Sequence, residues 1–289
     1  MKTKNKNKKI QRSFDLLGNI ALVKFSDSKK LSKKQKKDFA KKILKEHKSV
    51  ETILEKTKEF SGKLRTMKTS WLLGEKNKEV LYKENNCEFR FNIDTSYFSP
   101  RLSNDRKEIT EKISMLPGKN KLILVMFAGV GPYSIEIAKN SKGISKVVSN
   151  ELNNKANEYS QKNSIRNKVE DKIEFCNGDI KKKAEELKKK YSKGFDIIVM
   201  PRPNIEEDFI KEGLLLSKKL SLFEKFILRE KPTRIFYHSF GREEEMKKQI
   251  KNLKKKSKKF GRKLKIIDIK KVGDIAPYKF RFRLEFEVL

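Results

Sequence analysis

The stretch from Lys121 to Asn140, KLILVMFAGVGPYSIEIAKN, constrains the fold more than any other part of the chain. An apolar run long enough for one buried strand breaks at Ala128-Gly129-Val130-Gly131-Pro132, and apolar residues then return with helical spacing. A strand that is apolar on both faces belongs in a covered parallel sheet, and a parallel neighbour is reached only through a crossover, usually a helix. The downstream sequence repeats this alternation. SKVVSNEL, KIEFCN, FDIIVM and TRIFYHSF read as strands; NNKANEYSQKNSIRN, IKKKAEELKKKYS and EEEMKKQIKNLKKKSKKF read as helices. LKIIDIKKVGDI and KFRFRLEFEVL close the chain as an antiparallel pair. Residues 95–289 are therefore expected to form a doubly wound α/β domain. Upstream, FDLLGNIALVKF folds back at Gly18-Asn19, and a helix follows Ser32 with Phe39, Ile43 and Leu44 on one side. Short extended segments then run to Asp94, so residues 13–94 read as a small α+β module. Residues 1–12 form a lysine-rich lead, expected to be flexible until bound.

In an open α/β sheet, ligands bind outside the carboxyl ends of the strands, where the strand order reverses. Gly129 and Gly131 let the backbone turn tightly at such an end, and the helix behind them presents free N–H groups. The next strand ends in Glu151, placed to accept both hydroxyls of a ribose; the third ends in Asn-Gly-Asp179, placed to accept from an adenine amino group. Either carboxylate could instead cap the helix that follows it. A third glycine, as dinucleotide turns require, is absent at Ser134, and no G-x-x-x-x-G-K-[ST] phosphate loop occurs. A ligand with a carboxylate, a ribose and an adenine but no phosphates is S-adenosylmethionine.

Charge indicates the second partner. The chain carries 72 Lys and Arg against 38 Asp and Glu, a formal net charge of +34. So large an excess repels itself in a compact state and calls for a polyanion, of which nucleic acid is the commonest. The basic helices around 181–193 and 247–265 could follow phosphates. Trp71, Tyr97, Phe98 and Tyr133 are candidates to stack on a splayed-out base, with Tyr133, beside the glycine turn, the preferred one. Two cysteines far apart imply no disulfide framework, and His47 and His238 do not make a metal site. No segment reads as a secretory signal or a membrane span, so a cytoplasmic protein is expected.

FAGVGPYSIEIAKN, NELNNKANEYSQKNSIRNKVEDKIEFCNGDI and YFSPRLSNDRKEI, together with SFDLLGNIALVKF and APYKFRFRLEFEV, resemble the archaeal and eukaryotic tRNA (guanine-37-N1)-methyltransferases and their close relatives in wyosine biosynthesis. The resemblance implies a Rossmann-like class I methyltransferase domain behind a small N-terminal module. It also implies action on the anticodon stem-loop of tRNA to make 1-methylguanosine at position 37; a monomer is expected, with a dimer left open. By resemblance, Arg106, Phe127, Gly129, Gly131, Glu151 with Leu152, Asp179 with Ile180, and Pro201 would surround the cofactor. Arg101 of the S-P-R-L motif would face the target base, where a guanidinium stabilises the negative charge that loss of the N1 proton pushes onto O6. Glu136 and Asp179 are candidates for the group that accepts this proton. The chain departs from the family pattern in three ways. Val125 stands where an Asp is usual. Pro201-Arg202-Pro203-Asn204 replaces a motif that begins with an asparagine, leaving Arg202 or Asn204 to hold the base. The extra N-terminal domain that grips the tRNA elbow in many archaeal members is not expected. Pro201 keeps open a wyosine-pathway role, either methylation of a tricyclic base or aminocarboxypropyl transfer; a non-catalytic RNA-binding protein is the third reading.

Overall fold

The computed structural model describes residues 12–25 and 31–289; the basic lead read at the start of the sequence lies outside them, apart from Arg12. The chain divides into two compact units, one ending at Lys83 but including Glu88–Phe98, the other made of Glu84–Cys87 and Ser99–Leu289.

In the first unit, β1 (Arg12–Leu17) and β2 (Ile20–Phe25) pair antiparallel across the Gly18 turn. Gly18 has φ +57°, and a Cβ there would lie 1.7 Å from the Leu81 carbonyl oxygen, so no other residue fits. Helix α1 (Lys33–Glu46) starts at Ser32, whose side chain accepts from Gln35 N–H while the Gln35 side chain accepts from Ser32 N–H. It crosses to β3 (Thr52–Ser61), which lies parallel to β2 and antiparallel to β4 (Thr66–Gly74). Ala40 and Ile43 bury against Ala21, Val23, Phe25 and Ile53. The hairpin of β5 (Glu79–Glu84) and β6 (Cys87–Asn92) is a separate two-stranded sheet, over which Phe98 stacks on Phe91 at 4.9 Å.

The second unit is a seven-stranded sheet. Its strands are β7 (Lys121–Val125), β8 (Ile144–Glu151), β9 (Ile173–Asn177), β10 (Ile197–Met200), β11 (Thr233–Gly241), β12 (Leu264–Ala276) and β13 (Lys279–Val288), in the order β12-β13-β11-β10-β7-β8-β9. The strands β9, β8, β7, β10 and β11 are parallel, and β13 and β12 join antiparallel, as the sequence predicts. From β7 the chain first winds outward to β8 and β9 and then returns to β10 on the other side. The switch point therefore falls between β7 and β10, where a ligand crevice opens. Helices α2 (Ser103–Met115), α3 (Pro132–Asn140) and α4 (Asn154–Arg166) pack in sequence, as do α5 (Ile180–Lys190), α6 (Ile210–Leu215) and, beyond the short α7 (Leu222–Phe226), α8 (Glu243–Lys259). Leu124, Met126, Ile198, Met200, Ile235 and Tyr237, on alternate strand positions, form one core with Ile180, Ala184 and Leu187 of α5, Ile210 and Leu214 of α6, and Leu253 of α8. Apolar burial on both faces fixes the register: a slip by one residue would exchange the two sets of side chains.

Candidate active site

The crevice is built from four strand ends tied together by main-chain hydrogen bonds. Beyond β7, Met126 N–H donates to Val199 O of β10 and Ala128 N–H to Asn150 O of β8, while Gly178 N–H, beyond β9, donates to Glu151 O. The turn after β7 takes positive φ at every second residue: Phe127 (57°), Gly129 (59°) and Gly131 (90°). For Phe127 this is a strained conformation, held by edge-on packing on Phe209 (4.7 Å), which also has positive φ. Gly131 is required by packing rather than by room for a ligand: a Cβ there would meet Ser160 Oγ at 2.5 Å and Ile135 Cδ1 at 2.9 Å.

Glu151 is the best-positioned polar group in the crevice. It is half-buried, Oε2 accepts from Gly129 N–H and Oε1 from Asn153 N–H, both at 2.7 Å. Burial pushes its carboxyl above the usual range, and the backbone donors, including Leu152 N–H, partly offset this. It does not cap α4; Asn153 does. Each carboxylate oxygen has two lone pairs, so the three backbone donors leave one for a hydroxyl donor. Asp179 does cap α5, with Oδ1 accepting from Lys181 N–H at 3.0 Å. This bond engages one of its two oxygens, so capping and amino-group recognition are compatible. Half-buried Leu152 lies beside Glu151. Ile180 departs from expectation: only 2% exposed, its side chain belongs to the core, so it can offer a ligand only its backbone. Asn150, unremarked in the sequence, fixes the β8 and β9 ends by donating to Cys176 O (2.8 Å) and Gly178 O (3.0 Å).

Three expectations need correction. Arg106, expected at the cofactor, is 1% exposed and committed elsewhere: Nε donates to Glu84 Oε1 (2.5 Å), Nη2 to Glu84 Oε2 (2.7 Å) and to Ser99 O (3.1 Å). Tyr133, expected to stack on a base, is 3% exposed; its hydroxyl donates to Asp105 at 2.6 Å, with the Arg106 guanidinium over the ring at 5.6 Å and His238 edge-on at 6.1 Å. No face of that ring is open to a nucleotide. Glu136, a candidate proton acceptor, is buried with its carboxyl accepting from Asn85 Nδ2 at 3.0 Å, and burial pushes its pKa up to about 7.

Arg101 lies exposed on the 3-10 turn Pro100–Leu102. Pro201 is half-buried at the end of β10, and Asn204 is exposed in the loop beyond it. Arg202 is buried and shapes that loop: Nε donates to His238 O, and Nη1 to the carbonyls of Pro203, Ile205 and Glu207, all within 2.9–3.2 Å. Those bonds remove Arg202 as a holder of the base and leave Asn204 displayed. Val125, where the family pattern has an acid, is wholly buried. Tyr97 and Phe98 belong to the first unit, where Arg65 lies over the Tyr97 ring at 5.4 Å. Trp71 there is part-exposed, its indole donating to Gly74 O.

The second unit also encloses a buried polar cluster that the sequence did not reveal. Asp105 accepts from Tyr133 Oη, from His238 Nε2 (2.9 Å) and from Arg283 Nη1 (2.7 Å), while Arg283 Nη2 reaches Glu108 at 3.0 Å. Burial alone would raise the Asp105 pKa; His238, Tyr133 and Arg283 reverse this and hold the carboxylate ionised far below its usual range. Burial pushes the His238 imidazole below its ordinary range, against the opposing pull of Asp105. Asp105 precedes Arg106 in one motif, but its partners are distant in sequence, so spacing could not expose the cluster. Among the described residues there is no cluster suited to a metal ion and no helix long and apolar enough to cross a membrane.

Comparison with known proteins agrees with this architecture. Residues 80–267 match the TRM5/TYW2 methyltransferase domain, and residues 2–77 the TYW2 N-terminal domain. A Nanoarchaeum equitans protein named tRNA (guanine(37)-N(1))/4-demethylwyosine(37)-methyltransferase Taw22 is 32% identical over 96% of this chain and 100% of its own. The Pyrococcus abyssi tRNA (guanine(37)-N(1))-methyltransferase Trm5b is 31% identical over 45% of this chain and 37% of its own. Among solved structures, aTrm5 in complex with tRNALeu superposes with a TM-score of 0.75 at 26% identity, covering 96% of this chain and 72% of that one. Pyrococcus horikoshii TYW2 in complex with MeSAdo superposes with a TM-score of 0.71 at 20% identity, over 96% and 90%. With a switch-point crevice framed by Glu151 and Asp179 and with these matches spanning both units, the chain belongs to the TRM5/TYW2 methyltransferase family.

Proposed function

We propose that the protein methylates N1 of the guanosine at position 37 of tRNA, next to the anticodon. S-adenosylmethionine is the cofactor of this methyltransferase family, and when bound it supplies an electrophilic methyl with a neutral thioether as leaving group. The observation that carries the reading is the pair Glu151 and Gly129 at the switch point, in a family whose curated relatives are named for guanine-37 methylation. The residues bind, orient and manage charge. Glu151, pre-set by backbone amides, accepts a ribose hydroxyl, and Asp179 accepts the adenine amino group. Arg101 meets the charge that develops on guanine O6, and Asn204 offers its amide to the base edge from the loop that Arg202 holds. Bringing nitrogen and methyl carbon into line removes most of the entropic part of the barrier.

A second reading is favoured by two observations. Pro201 removes the amide with which the family motif would hold guanine, and residues 2–77 match the TYW2 N-terminal domain. It makes a tricyclic wyosine precursor the acceptor, of a methyl or an aminocarboxypropyl group. Incubation with S-adenosylmethionine and unmodified tRNA bearing guanosine-37, followed by digestion and mass spectrometry, separates the two. The first reading expects 1-methylguanosine. Product only on tRNA carrying the tricyclic base would replace it with the second. The same reading expects a cytoplasmic protein that acts as a monomer on the anticodon stem-loop.

A further inference from the structure

Part of the lysine on this chain is matched by nearby carboxylate among the described residues. Lys36 meets Glu55, Lys78 Asp94, Lys112 Glu285, Lys155 Glu158, Lys190 Glu174, Lys218 Asp196 and Lys270 Glu108. Helix α8 differs. It turns Met246, Leu253 and Ser257 inward and leaves Lys247, Lys248, Lys251, Lys254, Lys255, Lys258 and Lys259 exposed. None of these has an ion pair among the described residues; of the α8 lysines only Lys256 does, with Asp208. Lys247, Lys251, Lys255 and Lys259 follow one another at four-residue spacing, and Lys254 and Lys258 repeat it alongside, so like charges face each other along about 18 Å of helix. The helix dipole favours cations only in the last turn and does not account for Lys247, Lys248 and Lys251. Helix α6 packs against both α5 and α8, so the lysines of α5 lie on the same side of the sheet. Lys188 of α5 is held below its ordinary pKa by burial and by Lys219 and Arg262, which marks a place where cations crowd together.

We infer that the exposed face of α8 is a second RNA-docking surface, which binds the phosphate backbone of the tRNA away from the crevice. The inference rests on the proposed RNA substrate and adds the surface that holds it. Geometry supports it. α8 starts just after β11 ends at Gly241, on the crevice edge of the sheet, and runs back toward the opposite edge. The cationic face therefore begins at Lys247, one turn in from the crevice edge and past the exposed Glu243, Glu244 and Glu245, and runs to the far side of the domain. The face contains no large apolar residue, because the apolar side of α8 is already packed on the sheet. That distinguishes it from a membrane-surface helix, whose apolar side must be available.

The test is a quadruple variant, Lys247→Gln, Lys251→Gln, Lys254→Gln and Lys258→Gln, in the full chain. A control removes four paired lysines, Lys42, Lys83, Lys107 and Lys155. Binding of fluorescent unmodified tRNA is followed by anisotropy across a salt series. The α8 variant is expected to bind roughly tenfold more weakly near physiological salt, with the slope of log K against log salt reduced by about three; the control is expected to change much less. A Lys→Arg quadruple, which keeps the charge, should restore binding. A change no larger than the control's would overturn the inference, and so would binding of the native face to phosphatidylserine vesicles without any effect on RNA. Because the readout is binding, absence of methylated product would count against the proposed reaction and leave this test intact.

Discussion

Arg106 and Glu84 form a two-pronged ion pair in the interior of the second unit, Nε to Oε1 at 2.5 Å and Nη2 to Oε2 at 2.7 Å, with both side chains almost wholly enclosed. Removing one member of such a pair strands a charge that has lost its hydration. Glu84→Ala is therefore expected to lower stability by about 3–5 kcal/mol, measured by urea unfolding. Arg106→Ala should cost a similar amount. If Arg106 were a cofactor ligand, its loss would instead weaken S-adenosylmethionine binding in a fold of unchanged stability.

Tyr133 donates to Asp105 in the same interior. Tyr133→Phe keeps the ring and removes a hydrogen bond to a charged acceptor, which should cost about 1.5–3 kcal/mol while the affinity for tRNA stays the same. Weaker tRNA binding with unchanged stability would restore Tyr133 as a stacking platform.

Glu151 is expected to govern cofactor affinity. Glu151→Ala removes the acceptor for a ribose hydroxyl, and charge-assisted bonds of this kind are worth about 1.5–3 kcal/mol, roughly a 10- to 100-fold loss of affinity. Titration calorimetry with S-adenosylmethionine would show it, and anisotropy should find tRNA affinity unaltered.

Glu136 gives the fold a pH dependence of defined sign. Burial, with Glu84 and Asp105 nearby, raises its pKa from 4.5 to about 7, against the opposing Asn85 bond and Arg106. The folded state favours the protonated form, so this contribution is complete below pH 4.5, declines as pH rises, and is gone above about 7. The shift corresponds to at most about 3 kcal/mol. Glu136→Gln, a permanently neutral analogue, should gain stability relative to the native chain between pH 5 and pH 8. Parallel urea midpoints for the two proteins would sink this expectation.

The sequence by itself determined what is periodic and local. Alternating apolar patterns set the order of strands and helices, the Gly129–Gly131 break marked where the first parallel strand turns toward a ligand, and Glu151 and Asp179 were placed at strand ends by simple counting. Only the tertiary structure decided which side chains meet. Asp105 finds His238 at a separation of 133 residues and Arg283 at 178, because winding β11 and β13 into the sheet carries them over α2. The same packing encloses Tyr133 and Ile180, commits Arg106 to Glu84 and Arg202 to its own loop, and leaves Asn204 and the lysines of α8 outside. A motif names a residue type at a position along the chain, but whether that residue faces a ligand or a buried partner depends on burial and charge pairing across the whole sheet, which no local spacing encodes.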